Sequence, residues 1–134
     1  GTVTVKELST LYSFKNVHQL ISTVEAEINN STKISKILES TFPMGSMTGA
    51  PKIRSMELIE KFEKTQRGIY SGAVGYISPK IDFDFNVVIR SIIYDSQRNN
   101  LNINVGSAIT FASDPYKEFD ECKLKAEAMI SSLK

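Results

Sequence analysis

Three charged side chains near the C-terminal end have the spacing of a single helix face. Glu118, Glu121 and Lys125 stand at i, i+3 and i+7 in a segment with helical periodicity, so a helix would place them one turn apart on the same side. Two carboxylates at this spacing can share a hard divalent cation, and the lysine can neutralise a carboxylate on the ligand that the cation holds. The spacing leaves open an ordinary solvated ion pair between Glu121 and Lys125, which is common on helix surfaces.

A permanently charged arginine lies in the middle of an apolar run. Arg90 is the centre of Val-Val-Ile-Arg-Ser-Ile-Ile at 87–93, within an alternating pattern that predicts a long strand over 83–94 with two apolar faces. A buried guanidinium is costly unless it is paired with an anion. A carboxylate of this protein and a carboxylate of a substrate are both open as that partner.

The stretch Phe42–Lys52 contains two glycines, two prolines and two hydroxyl side chains directly before a helical segment. Such a composition predicts a sharp turn with Thr48 as the helix N-cap and Pro51 in the first turn. The backbone N–H groups at a helix start suit an anion. An ordinary capped loop without a ligand is the alternative.

His18 is the single histidine of the chain. Asn16 followed by Gln19 resembles a capping box, and the apolar spacing after it predicts a helix from Val17 to Ile28. A histidine in the first turn of a helix should carry a neutral imidazole, because the helix dipole disfavours a cation there. A partly exposed surface residue without a function is the alternative.

The remaining periodicities predict the elements that must position these side chains. The strands should form a three-stranded antiparallel meander with packed helices, which is an α+β fold. Small residues at Gly106-Ser107-Ala108, after the last strand, would let a ligand rest against the backbone. In chain order the other predicted elements are a strand at 8–14, a short helix from Ile34, a helix at 52–63, strands at 69–77 and 101–105, and a final helix with Asp114 as N-cap and Pro115 at its first position.

Length and charge restrict the class of protein. The chain has 134 residues, 41% of them hydrophobic, which fits one globular domain or a part of one. Sixteen basic and fifteen acidic side chains give a net charge of +1, so we expect neither a nucleic acid partner nor a membrane surface partner. No signal peptide or membrane-spanning run is evident, and the single cysteine, Cys122, falls in an apolar stripe, so we expect a cytoplasmic protein.

Five sequence blocks in one order resemble the C-terminal part of the chorismate-utilising enzymes, the family of anthranilate synthase component I, aminodeoxychorismate synthase component I, isochorismate synthase and salicylate synthase. The resemblance extends from about Leu8 to the end of the chain. Gly-Ser-Met-Thr-Gly-Ala-Pro-Lys at 45–52 and Asp-Phe-Asn-Val-Val-Ile-Arg-Ser at 84–91 look most like the aminodeoxychorismate synthases. The five blocks are Gly45–Lys52, Tyr70–Tyr76, Val88–Ser91, Val105–Ala108 and Glu118–Cys122.

The resemblance implies roles for individual side chains. Glu118 and Glu121 match magnesium-binding carboxylates, and Glu121 matches the direct ligand. Ser46 matches a residue that contacts the substrate, and His18 a histidine that lines the same site and is a possible catalytic residue. The residues that match the binding site of the enolpyruvyl carboxylate are Tyr70, Arg90, Lys125 and the backbone at Gly106 and Ala108. Ala108 stands where the family usually has a second glycine.

The resemblance also implies an activity and its partners. Residues 1–134 would be the C-terminal portion of a chorismate-binding catalytic domain, within a two-sheet α/β sandwich, with the upstream portion absent. The whole enzyme, of the transferase or lyase class, would convert chorismate and ammonia to 4-amino-4-deoxychorismate for p-aminobenzoate and folate synthesis. The ammonia would come from a glutamine amidotransferase subunit. Anthranilate synthase component I and isochorismate synthase are the alternatives on the same scaffold.

The upstream portion of the family's domain supplies another magnesium-binding glutamate and the acid and base residues. The isolated chain should therefore be inactive, and a binding or interaction module without turnover is the alternative of another class. Sheets left with open edges would also expose apolar surface, so self-association is expected.

Overall fold

The computed structural model describes residues 1–15 and 18–133. The chain forms two compact units, Gly1–Ser40 and Thr41–Lys134. The described residues form helices and three separate antiparallel strand pairs, as predicted for an α+β fold. No helix in the described part of the chain has the length and apolar character needed to cross a membrane.

The first unit consists mainly of a two-stranded antiparallel hairpin. Strand β1 (Thr4–Ser13) pairs with strand β2 (His18–Glu25), and helix α1 (Ile34–Thr41) follows. The strand predicted at 8–14 and the short helix from Ile34 are confirmed.

The helix predicted from Val17 to Ile28 is wrong, because His18–Glu25 is strand β2. Its apolar residues have helical spacing, but β-branched Ile21, Thr23 and Val24 also suit a strand, and β1 offers a partner in register with it. Pairing with a neighbouring strand therefore overrides the local periodicity. Asn16 and Val17, where the predicted helix was to begin, lie outside the described residues.

The two faces of this hairpin differ in polarity. On one face the Glu7 carboxylate accepts hydrogen bonds from the Tyr12 hydroxyl at 2.8 Å and from the Thr23 hydroxyl at 3.0 Å. The register places four apolar side chains on the opposite face, and all four are more than half exposed. We call this set the apolar hairpin face; it consists of Val5, Leu11, Leu20 and Val24.

In the second unit, one short helix replaces part of the predicted loop. Helix α2 (Gly45–Thr48) is a single turn, and helix α3 (Lys52–Phe62) follows with Pro51 as its N-cap residue and no side-chain cap. The prediction that Thr48 caps α3 is wrong, because its hydroxyl donates to the Met44 carbonyl at 2.9 Å. The Thr48 hydroxyl thus bonds within the turn of α2 and not to the start of α3.

The last helix begins as the sequence predicts. Helix α4 (Pro115–Ser131) has proline at its first position, and the Asp114 carboxylate accepts from the backbone N–H groups of Tyr116 at 2.8 Å and Lys117 at 3.3 Å. This cap satisfies two N–H groups that have no partner inside the helix. It fixes where α4 begins, and hence which way its charged face points.

The strands of the second unit form two successive hairpins. Strand β3 (Ala73–Ile77) pairs with β4 (Phe83–Val87), and β5 (Ile92–Asp95) pairs with β6 (Asn100–Ile103). The single strand predicted over 83–94 is therefore divided, and the strand predicted at 69–77 begins only at Ala73. The division has a backbone cause: Arg90 has a φ of 50°, which does not fit an extended ladder.

Residues just before the break bond back to the turn that precedes β3. The Ser71 N–H donates to the Val88 carbonyl at 2.9 Å, and the Val88 N–H donates to the Gly72 carbonyl at 3.0 Å. Val88 and Ser71 are buried, and Met129 of α4 is the other buried apolar residue among those described. These contacts fix the turn at 69–72 against the end of β4.

Candidate functional site

The charged face of α4 forms as the sequence predicts, and it contacts the segment that follows β6. The Ser107 hydroxyl donates to the carboxylate of Glu118. The ammonium of Lys125 lies 2.5 Å from a carboxylate oxygen of Glu121. It also donates to the Gly106 carbonyl at 3.0 Å. The three side chains of this face therefore attach α4 to residues 106–107.

The Glu121 carboxylate is held in its ionised form. The hydrogen bond and charge of Lys125 lower the pKa of Glu121 below its ordinary value. A carboxylate must be deprotonated to bind a metal ion. Lys125 thus keeps Glu121 ionised in moderately acidic solution.

Tyr70 lies beside the same segment. A methyl group built on Gly106 would stand 2.9 Å from the Tyr70 hydroxyl oxygen, closer than real Cβ contacts. A side chain at 106 would therefore force the Tyr70 ring or the backbone to shift. This contact brings the turn before β3 into one cluster with α4, made up of Tyr70, Gly106, Ser107, Glu118, Glu121 and Lys125.

The backbone at 106–108 offers hydrogen-bond donors to this cluster. The carbonyl of Gly106 is used by Lys125, and that of Ala108 accepts from the Ser113 hydroxyl at 3.5 Å. The N–H groups of Gly106 and Ala108 have no partner within residues 1–15 and 18–133. Unpaired N–H groups of this kind can bind a carboxylate.

Arg90 differs from its sequence interpretation. It lies in the irregular segment between β4 and β5, where it is exposed, so its predicted burial within a strand is wrong. Among the described residues the Arg90 side chain forms no ion pair or hydrogen bond, so they supply no internal carboxylate partner. Its guanidinium is therefore free for an external anion.

Ser46 is an exposed residue of α2. The next residue, Met47, supplies a backbone carbonyl that accepts from Arg67 at 2.8 Å. Arg67 also donates to the Ser71 hydroxyl at 3.3 Å. The short helix that carries Ser46 is thus joined, through one arginine, to the turn that carries Tyr70.

His18 is the one predicted site residue in the first unit. It is exposed on β2, and its Nδ1 lies 2.9 Å from the Ser13 hydroxyl. The argument for a neutral imidazole at a helix start no longer applies, because no helix begins there. An open depression in the same unit, lined by side chains between Ser31 and Glu39, contains none of the predicted residues.

Two contributors to the site were not identified from the sequence. Ser107 was noted only for its small size, although its hydroxyl bonds to Glu118. Arg67 is not among the predicted site residues, although its spacing from Glu63 is that of an i,i+4 ion pair. Only the pair with Glu63 could be predicted from local spacing, since the Met47 contact joins residues twenty positions apart.

Comparisons with known proteins place the chain in a family. The family model described as chorismate binding enzyme matches residues 1–131. "Probable aminodeoxychorismate synthase, chloroplastic" of Oryza sativa subsp. japonica is 41% identical over 128 residues, covering 96% of this chain and 14% of that protein. Aminodeoxychorismate synthase of Streptomyces griseus is 39% identical over 133 residues, covering 99% of this chain and 18% of the relative.

A solved structure has the same fold. The crystal structure of anthranilate synthase component I from Streptococcus pneumoniae TIGR4 matches with a TM-score of 0.81 at 30% identity, over 96% of this chain and 29% of that one. The chain thus spans less than a fifth of the length of the two curated relatives and less than a third of the solved structure. The family match along residues 1–131 shows that this chain belongs to the chorismate binding enzymes.

Proposed function

We propose that this chain is the C-terminal portion of a chorismate-binding catalytic domain, and that the complete enzyme converts chorismate and ammonia to 4-amino-4-deoxychorismate. The observation that carries the proposal is the cluster in which Lys125 contacts both Glu121 and Gly106 while Tyr70 adjoins Gly106. It combines carboxylates, a cation, a hydroxyl and free backbone donors. Chorismate carries two carboxylates and a ring hydroxyl. A site that binds it needs cations and hydrogen-bond donors for the carboxylates, and this cluster offers them.

In this proposal Glu118 and Glu121 hold magnesium. The donor set fits, because magnesium takes one or two carboxylates and completes its shell with water and substrate oxygens. Within the described residues, no cluster of three or more His, Cys, Asp or Glu side chains forms, so the other ligands would come from water, the substrate and the upstream part of the domain. When bound, the metal would neutralise the ring carboxylate. Ser107 orients Glu118, and Lys125 orients Glu121.

The enolpyruvyl carboxylate would lie against the other side of the cluster. Arg90 is exposed and unpaired among the described residues, so it can supply a bidentate pair. The Tyr70 hydroxyl, the Lys125 ammonium and the N–H groups of Gly106 and Ala108 would supply the remaining donors. The methyl group of Ala108 would narrow this part of the pocket slightly compared with a glycine.

Ser46 would shape one wall through its position on α2. His18 lies in the first unit, and its proposed place in the lining of the site rests on the resemblance alone. These residues position the substrate and stabilise developing charge. The nucleophile, the acid and base residues and the third metal-binding carboxylate belong to the upstream part of the domain, and a glutamine amidotransferase would deliver the ammonia.

The choice of product rests on the relatives. Two relatives at 41% and 39% identity are named as aminodeoxychorismate synthases, relatives named anthranilate synthase component 1 are 32% to 37% identical, and the solved anthranilate synthase component I is 30% identical. That structure makes anthranilate synthase the second candidate, with isochorismate synthase as a further alternative on the same scaffold. Incubating the full-length protein with chorismate, magnesium and ammonium, followed by chromatographic product analysis, separates them. Anthranilate or isochorismate as the main product would contradict our assignment.

The isolated chain should not turn over chorismate. It spans only 14% and 18% of the two curated relatives, so groups needed for the reaction lie elsewhere. The apolar hairpin face, exposed in this chain, is a surface that the rest of the domain could cover. An assay of the isolated chain beside the full-length protein tests this. Appreciable consumption of chorismate by the isolated chain would refute the incomplete site.

A further inference from the structure

One arginine outside the predicted site joins three separate elements of the second unit. The Arg67 guanidinium bonds to both carboxylate oxygens of Glu63, at 2.8 Å from Nε and 2.5 Å from Nη2. Its Nη1 donates to the Met47 carbonyl at 2.8 Å and to the Ser71 hydroxyl at 3.3 Å. Glu63 follows the end of α3, Met47 lies in α2, and Ser71 lies in the turn before β3.

The geometry makes this contact specific to arginine. The two parallel bonds to Glu63 use one edge of the planar guanidinium, and the remaining nitrogen faces two oxygens on other segments. A lysine ammonium, with a single nitrogen, cannot reach all three partners in this arrangement. The Glu63 hydrogen bond raises the pKa of Arg67, and Arg67 in turn lowers the pKa of Glu63, so both groups remain charged across the physiological range.

The Met47 contact satisfies a group that α2 itself leaves unpaired. A four-residue helix cannot bond its last carbonyls internally, and the arginine also places a positive charge near that end of the helix. Ser71 is 6% exposed, and its N–H is held by Val88. The arginine therefore attaches this short helix to Ser71, one of the few buried residues among those described.

We propose that Arg67 is a positioning residue that fixes the α2 segment carrying Ser46 against the turn carrying Tyr70, and so sets the distance between two walls of the ligand site. Its immediate partners are the sequence neighbours of both wall residues, namely Met47 beside Ser46 and Ser71 beside Tyr70. Arg67 does not touch the ligand. The inference rests on the proposed function for the identity of the ligand, but the contact itself does not.

The kinetic test uses Arg67→Lys and Arg67→Gln in the full-length protein. We expect both variants to raise the KM for chorismate by about tenfold, with a smaller change in kcat, because the walls move while the reacting groups stay in place. The lysine variant should raise the KM as much as the glutamine variant does. It keeps the positive charge, but a single nitrogen cannot form the bonds that the guanidinium makes to Glu63, Met47 and Ser71. Arg54→Gln is the matched control, because Arg54 forms an exposed i,i+3 pair with Glu57 on α3. An unchanged KM in both Arg67 variants would overturn the proposal.

Hydrogen exchange supplies a readout that needs neither a ligand nor activity. In Arg67→Gln the amides of Gly49, which bonds within the α2 segment, and of Ser71, which bonds to Val88, should both exchange faster, while the amides of β5 and β6 keep their wild-type rates. Unchanged exchange at Gly49 and Ser71, or uniform loss of protection in the whole unit, would overturn the positioning role. A wild-type protein that fails to bind chorismate, with the exchange result as expected, would instead overturn the proposed function alone.

Discussion

The hydroxyl of Tyr70 occupies the space that a side chain at position 106 would need, with 2.9 Å between its oxygen and the Cβ position of Gly106. The two residues are 36 positions apart in the sequence (106 − 70); Tyr70 lies in the turn between α3 and β3, and Gly106 lies in the segment between β6 and α4. Their contact joins the turn before β3 to the segment that Lys125 holds. Variants at Gly106 and Tyr70 therefore test whether this contact shapes the site.

Replacing Gly106 by alanine should weaken chorismate binding by about fivefold to tenfold, because the methyl group forces either the Tyr70 ring or the backbone at 106 to move. Titration calorimetry with chorismate measures the effect. In a Tyr70→Phe background the same replacement should cost less, since the obstructing oxygen is gone. Gly45→Ala is the steric control, because a methyl group there meets nothing within 4 Å. Equal losses in both backgrounds would argue against the contact.

Removing either carboxylate of the α4 face should weaken magnesium binding. Glu118→Gln and Glu121→Gln keep the shape of the side chain and remove its charge, so we expect at least tenfold weaker binding of magnesium in each variant. Calorimetric titration of the full-length protein with magnesium chloride measures this. Asp120→Asn is the control, since Asp120 pairs with Lys123 on the exposed side of the same helix. Variants that bind magnesium as tightly as wild type would exclude these ligands.

Lys125 should control the acid limit of magnesium binding. It is the main cause of the lowered pKa of Glu121. In Lys125→Gln that pKa rises toward its ordinary value, so magnesium binding should be lost at a higher pH than in wild type. Near neutral pH the effect should be small or reversed, because Lys125 no longer competes with the metal for Glu121.

The measurement for Lys125→Gln is magnesium affinity as a function of pH from about 4 to 8, the interval that brackets the ordinary glutamate pKa of about 4.3. Lys123→Gln on the same helix is the matched control, because its partner is Asp120. If wild type and Lys125→Gln lose magnesium binding at the same pH, Lys125 does not act on Glu121.

Arg90 should matter for binding and not for stability. Its side chain is exposed and unpaired among the described residues, so Arg90→Gln should leave the thermal unfolding midpoint within about 1 °C, whereas chorismate affinity falls by about a hundredfold, or about 3 kcal/mol. Arg98→Gln is the control, since Arg98 is also exposed and lies beside Asp95. A marked loss of stability with unchanged affinity would assign Arg90 a structural role.

The apolar hairpin face should make the isolated chain associate. Its four side chains are more than half exposed, which is unusual for a stable monomer. Leu11→Thr combined with Leu20→Thr, an adjacent cross-strand pair, should reduce association in analytical ultracentrifugation while the far-ultraviolet circular dichroism stays unchanged. Thr2→Ser, outside this face, serves as the control. A monomeric wild-type chain at high concentration would contradict this expectation.

The sequence by itself determined the elements whose signals are local. The Asp114 cap with Pro115, the charge spacing along α4 and the helix that begins at Lys52 all depend on residues within a few positions of one another, and the five blocks in order identified the family. Local signals of this kind suffice because helix caps and i,i+4 pairs are decided within one or two turns.

Tertiary structure decided what depends on a distant partner. His18–Glu25 became a strand because β1 pairs with it. The long strand predicted over 83–94 was divided at Arg90, and its two halves have different partners, since β4 pairs with β3 and β5 pairs with β6. Pairing with distant strands also leaves Arg90 exposed between β4 and β5. Folding likewise brings Gly106 next to Tyr70, which is distant in the sequence. The proposed positioning role of Arg67 could be inferred only from the tertiary structure. The Met47 and Ser71 oxygens that it joins belong to segments that meet only when the chain is folded.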